Sequence, residues 1–241
     1  MDFGAGKKPV ALFKKIISMA TSNTDSEVIL DFFAGSGTSG HATYEMNSHD
    51  DGNRRFILVQ IPEHTERTDF PTIPSMTKER LRRAGAKIKA DNPNWQGDTG
   101  FRVFKLDTSN IRAWSPNPAD LEAEIMAHQN HLLEGRSEAD ILYELLLKRG
   151  LDLCIPIEQR MIHGKTVYAI GGGVLMACLA TTITRDEVES LAHGIISWHG
   201  ELQPADDTTC VFRDSAFTDD VAKTNLAAIL AQSGLQNVRS L

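Results

Sequence analysis

The sequence predicts an α/β arrangement in the first hundred residues, followed by a smaller α+β domain, and three observations carry that expectation. A compact apolar run, Val28-Ile29-Leu30, closes on Asp31 and passes straight into a glycine-rich turn, as a buried parallel strand feeding a helix would do. A second apolar run, residues 56–61, follows one helix length later and is stopped by Pro62. Past two clusters of turn formers, residues 91–100 and 114–118, helical segments alternate with short apolar runs.

Taken in order, residues 7–20 (KKPVALFKKIISMA) place Val10, Phe13, Ile16 and Ile17 at helical spacing, with Pro9 suited to a first turn. Residues 25–27 form a polar turn before the first strand, residues 38–47 the next helix and residues 50–53 a loop. After a proline-containing loop at 69–75, residues 78–89 are rich in helix formers and present Arg80, Arg82, Arg83, Lys87 and Lys89. With no aromatic side chains interleaved, that basic face reads as solvated in preference to a DNA contact. Residues 119–150 are helical with Gly135 as a break, residues 165–180 apolar, 185–193 helical, 208–213 a strand and 218–233 a last helix. The turn clusters put a boundary between 90 and 118, which divides the chain into domains 1–105 and 106–241.

Composition narrows the function classes. At 41% hydrophobic and 24% charged, 241 residues are ordinary for a globular protein with one or two cores. The net charge of -7, from 25 Lys plus Arg against 32 Asp plus Glu, does not suit a free-standing binder held by phosphate contacts, so contact with DNA must be local or supplied elsewhere. Cys154, Cys178 and Cys210 are odd in number, widely spaced and without a CxxC pair, which fits a reducing cytoplasmic setting. The longest apolar run, 167–180, contains three glycines and is too short to cross a bilayer.

The turn Asp31-Phe32-Phe33-Ala34-Gly35-Ser36-Gly37-Thr38-Ser39-Gly40 is the most informative segment. Gly35, Gly37 and Gly40 satisfy GxGxxG, so a dinucleotide site has to be weighed, as does a tight structural turn with Asp31 capping the helix. In a dinucleotide fingerprint the first glycine sits at the strand end, whereas here Asp31 closes the strand and three residues precede Gly35. A carboxylate at that place can receive an ammonium group. S-adenosylmethionine carries such a group and an adenosine but no pyrophosphate, so it matches the pattern better. A polar side chain near the end of the second strand, Gln60 or Glu63, could reach its ribose.

DFFAGSGT at 31–38 is similar to the cofactor motif of amino-group DNA methyltransferases, and KKPVALFKKII at 7–17 resembles the Lys-Pro helix that precedes it in their β-type order. RRFILVQIPE (54–63), TKERLRRAGAKI (77–88), GFRVFKLDTSNIRAW (100–114), ADILYELLLKRGL (139–151), YAIGGGVLMACL (168–179) and VFRDSAFTDDVAKTNLAAIL (211–230) extend the resemblance to the modification subunits of type III restriction-modification systems. The resemblance implies a partial Rossmann-like methyltransferase domain binding S-adenosylmethionine, with adenine as the base modified. It assigns Asp31, Phe32, Phe33, Ala34, Gly35, Ser36, Gly37 and Thr38 to the cofactor pocket, Lys8 and Pro9 to its methionine end, and Gln60 or Glu63 to the ribose. Many members carry an acid where Gln60 stands.

Methylation of an exocyclic amine needs a flipped base whose amino group is polarised beside the sulfonium, which the family achieves with an Asp/Asn-Pro-Pro-Tyr/Phe tetrapeptide. None occurs here; Asp91-Asn92-Pro93-Asn94-Trp95 lacks the second proline and reads as a turn. In the β-type order the tetrapeptide and the target-recognition region precede the Lys-Pro helix, so the chain resembles a downstream half, as a truncated or split gene would encode. Catalytic residues are therefore not expected in it, and alone it should be inactive. DNA through the complete enzyme, an upstream methyltransferase half, a restriction subunit and a second copy are the partners implied, the missing strands leaving an edge and an apolar face to cover. The alternative is a non-catalytic module for dimerisation or docking of the restriction subunit.

Other candidates read as structure. His128 and His131 lack a third ligand, so no metal is assigned. Gly171-Gly172-Gly173 has no following Lys-Ser/Thr and reads as a bulge or turn. No nucleophile elbow accompanies Asp214-Ser215, and Cys178 reads as core.

Overall fold

The computed structural model describes residues 8–112 and 132–241, which fall into two compact units, 1–103 and 104–241. The turn cluster at 114–118, the first part of the expected 119–150 helix and the His128/His131 pair lie outside the described residues. The second unit is the larger of the two, contrary to the expectation of a smaller one.

In the first unit, helix α1 (Val10–Ala20) starts from Pro9 in the N-cap position, followed by β1 (Val28–Asp31), α2 (Thr38–Asp50), β2 (Arg55–Leu58) and α3 (Ile73–Asp91). The strands pair in parallel, with Asp31 opposite Leu58, and Val59 continues the ladder by donating to the Asp31 carbonyl at 2.8 Å. One face of the pair carries Phe56 and Leu58 onto Tyr44 of α2 and Leu81, Ala84 and Ile88 of α3. The apolar run reads from sequence as a buried strand in a sheet that leaves an apolar face to cover, and in this chain Val28, Leu30, Ile57 and Val59 are exposed on the other face, Leu30 at 59%. Alternate residues of a strand point to opposite faces, so a two-stranded sheet with helices on one side buries only half of each run.

Helix α3 begins at Ile73, inside the segment read as loop. Pro74 explains the misreading: it breaks helices in their interior but suits the first turn, where its missing N–H would be unpaired anyway. Arg54, almost fully buried, ties the start of β2 to its neighbours. Its guanidinium forms two bonds to Asp50 (2.9 and 2.8 Å) and one from Nε to the Thr21 hydroxyl (2.7 Å), while Asn47 pairs with its backbone.

The second unit holds α4 (Glu138–Lys148), β3 (Ile157–Ile162), β4 (Lys165–Ile170), β5 (Leu175–Cys178), α5 (Arg185–Leu202), β6 (Thr209–Phe212), α6 (Asp220–Gln232) and β7 (Asn237–Ser240). Its sheet runs β3-β4-β5-β6-β7, antiparallel from β3 to β5 and parallel from β5 to β7. Helices α5 and α6 pack their Leu191, Ile195, Trp198, Leu226 and Leu230 on one face, and α4 packs Ile141, Leu142, Leu145 and Leu146 on the other.

Both edge strands escaped the sequence reading, because IEQRMI and NVRS carry the polar side chains that protect an edge and so lack an apolar run. Helix α5 continues nine residues past its expected end through Gly194. A Cβ there would come within 2.3 Å of Ile162, so the glycine is a seat for β3 and not a helix stop. Gly171, Gly172 and Gly173 all have positive φ and turn β4 into β5. Cys178 and Cys210 are buried, and burial pushes their thiols up to about 11 and about 12.

Candidate functional site

The first unit places the strand end, the glycine turn and the start of α2 around one small cavity. Lys8, Phe13, Asp31, Phe33, Ala34, Gly35, Ser36 and Thr38 line its roughly 80 Å³. Complete small-molecule sites span about 300–1,000 Å³, so this volume holds one end of such a ligand.

The turn is shaped by left-handed backbone at Gly35 (φ 52°) and Gly37 (φ 74°). The two glycines are needed for different reasons. Gly35 has open space where a Cβ would stand, so a ligand can approach its backbone closely, whereas a Cβ on Gly37 would meet the Thr77 methyl of α3 at 2.7 Å. Gly40 allows α2 to settle on the sheet, with Leu58 and Leu81 at 3.0 Å from its ideal Cβ. Gly37→Ala is therefore expected to cost about 1–2 kcal/mol from the positive φ and the Thr77 contact, read as a lower urea midpoint of the first unit.

Asp31 accepts from the Phe33 backbone N–H at 3.2 Å and from the Ser39 hydroxyl at 2.5 Å. It does not cap α2, whose N-cap is Gly37 without a side-chain cap. Among the described residues it has no ion-pair partner, so its carboxylate, at the cavity wall, can take a cationic group. Lys8, exposed, lies over the Phe13 ring at 5.9 Å and brings a cation to the same cavity.

Of the residues expected at the site, Lys8, Asp31, Phe33, Ala34, Gly35, Ser36 and Thr38 meet at this cavity. Pro9 starts α1, Gly37 lies beneath the turn, and Phe32 stands exposed beside Phe33 with ring centroids 5.1 Å apart. Gln60 bends back to accept from the Gly35 N–H at 2.8 Å, bracing the turn from β2. Glu63 is exposed and outside the cavity lining.

Three contributors lay outside the expectation: Phe13, Thr77 and Arg80. Thr77 donates its hydroxyl to the Gly35 carbonyl at 2.6 Å. Arg80, read from sequence as part of a solvated basic face, is instead 5% exposed and donates to Ser36 and Thr38. Arg82, Arg83 and Lys87 are exposed, as a solvated face requires. The overlooked signal was spacing: Thr77, Arg80, Leu81, Ala84 and Ile88 recur at helical period on the face that packs inward.

Comparison with known proteins points to the same segment. A family described as DNA methylase matches residues 5–68. Over 107 residues the chain is 41% identical to the Mod subunit of the type III restriction-modification enzyme StyLTI of Salmonella typhimurium, which covers 42% of this chain and 16% of that protein. Over 196 residues it is 36% identical to the EcoP15I Mod subunit of Escherichia coli, covering 79% of this chain and 28% of that one. The EcoPI Mod subunit of Escherichia phage P1 is 26% identical over 197 residues, 77% of this chain and 29% of that protein. The chain thus spans under a third of the length of these relatives.

Proposed function

We infer that this chain, which is related in sequence to the modification subunits of type III restriction-modification systems, is the cofactor-binding part of a site-specific DNA adenine methyltransferase working in the cytoplasm. The observation that carries the reading is the cavity at the end of β1, where Asp31, the open side of Gly35 and the cation of Lys8 converge. S-adenosylmethionine, when bound, supplies a methyl group activated by its sulfonium. In this reading the Asp31 carboxylate takes the ligand's ammonium, Lys8 its carboxylate, and the Gly35–Ser36 backbone lies against it. Gln60, engaged with Gly35, acts by holding the turn; Glu63 is the ribose candidate only with movement of its loop.

The 241 residues contain no Asp/Asn-Pro-Pro-Tyr/Phe tetrapeptide, so the groups that hold and polarise the adenine come from another segment or chain. The chain by itself is then without methyl-transfer activity. The exposed apolar residues Val28, Leu30, Ile57 and Val59 support a covering partner, since contiguous apolar surface of this kind marks an interaction site. DNA, a restriction subunit and a second modification subunit are the further partners of this reading.

Calorimetric titration with S-adenosylmethionine tests it. Saturable binding is expected, weakened at least about tenfold in Asp31→Ala, the loss of one charge-assisted hydrogen bond. Equal affinity in the variant, or no uptake by the parent chain, would remove the cofactor reading.

A further inference from the structure

Arg80 is the most deeply placed cation of the first unit with direct bonds to the ligand-facing turn. Its Nη1 donates to the Ser36 hydroxyl at 2.8 Å and the Thr38 hydroxyl at 2.7 Å, with a looser contact to the Ser36 carbonyl at 3.4 Å. Its Nε donates to His41 Nδ1 at 3.3 Å, and His41 Nε2 meets Glu45 at 3.1 Å, which in turn pairs with Lys14 of α1 at 3.0 Å. Arg80 therefore links the turn, α2 and α1, and Ser36 and Thr38 both line the cavity.

This placement is electrostatically unfavourable. Burial holds the guanidinium below its ordinary proton affinity, with Glu45 opposing. The cation also sits at the N-terminus of α2, the positive end of the helix dipole, where an anion would be the stabilising choice. An apolar side chain would fill the space without that cost. What the arginine adds is a guanidinium nitrogen, Nη1, whose two N–H groups reach both the Ser36 and the Thr38 hydroxyls of a turn that contains two glycines in left-handed conformation, a segment with much conformational freedom to lose. A fixed turn spares the ligand the cost of ordering it.

Resting on the reading of this turn as the cofactor site, we propose that Arg80 is a positioning residue: it holds residues 35–38 in ligand-ready shape from beneath, without touching the ligand. Cofactor affinity depends on it through the order of the turn.

The test compares the parent chain with Arg80→Met, Arg80→Lys and, as an exposed control on the same helix, Arg83→Met. Amide hydrogen exchange is followed at Gly35 and Gly37, whose N–H groups bond to Gln60 and Ala34, against the interior of α2 and α3. Arg80→Met should raise exchange at the two glycines by about tenfold or more, as loss of charged hydrogen bonds would, with far less change in the helices. Arg80→Lys, whose single ammonium can serve both hydroxyls, should restore part of the protection, and Arg83→Met should match the parent. Titration with S-adenosylmethionine should show affinity falling in the same order. Unchanged glycine exchange in Arg80→Met, or a rise equal throughout the unit, overturns the proposal. Should Arg80→Met fail to fold, Arg80→Gln, which keeps one donor and no charge, takes its place against Arg80→Lys. Failure of the parent to bind S-adenosylmethionine would strike the cofactor reading alone, because the exchange comparison needs no ligand.

Discussion

Trp198→Ala is expected to destabilise the second unit by about 3–5 kcal/mol, the range for emptying a buried aromatic site. Trp198 is among the largest fully buried side chains and packs in the core that α5 and α6 build on the sheet. Arg160 lies over the ring at 4.8 Å and pairs with Glu201 at 2.6 Å, so the alanine variant also loses a cation–π contact. Trp198→Phe separates volume from polarity. The indole N–H finds no acceptor among the described residues, so removing it relieves an unsatisfied donor, and the phenylalanine variant should lose less than about 1.5 kcal/mol. Urea unfolding followed by circular dichroism measures both. A phenylalanine variant as unstable as the alanine one would mean that the N–H has a partner after all.

Arg54→Met should cost the first unit about 2–3 kcal/mol. Breaking a buried ion pair by removing one partner costs about 3–5 kcal/mol, discounted here because the stranded Asp50 side chain is 24% exposed and regains water. Thr21 and Asn47 lose partners at the same time, loosening the entry to both strands. The pair also sets an acid limb. The Arg54 hydrogen bonds hold the Asp50 carboxyl below its ordinary 3.8, so their contribution is complete above that value and lost as pH falls through the lower folded one. In the parent, part of the first unit's stability should disappear below about pH 4; in Arg54→Met that part of the slope should be absent. Trp95, packed on the first unit's core, reports the transition by fluorescence. An unchanged acid limb in the variant would assign it to other carboxylates.

The stability of Arg54 bears on the site, since β2, which it anchors, delivers Gln60 to the turn. The bond from Gly35 to Gln60 and those from Arg80 to Ser36 and Thr38 engage neighbouring residues of one turn from two different segments of the chain. A turn held by two segments can remain open for a ligand without collapsing into the cavity.

Much of the site was legible because its signals are local. A strand that ends in Asp31, a turn that needs positive φ at Gly35 and Gly37, and a helix starting at Thr38 are written in consecutive residues, and seven of the expected residues meet at one cavity. The parallel pairing of the strands follows from the same strand, turn, helix order. Edge strands β3 and β7 left no comparable trace, since an edge is built from the polar residues that loops also use.

What the sequence by itself determined, then, was the chemistry available at the end of β1 and the backbone shape of the turn, both of which depend on neighbours one to nine residues apart. Only the tertiary structure decided which charged side chains of α3 face water and which face inward. Arg80 and Arg83 are alike in type and one helical turn apart, yet one is buried against the turn and the other exposed. That difference comes from partners about forty residues upstream, the Ser36 and Thr38 hydroxyls and His41, whose hydrogen bonds help make a buried guanidinium tolerable there.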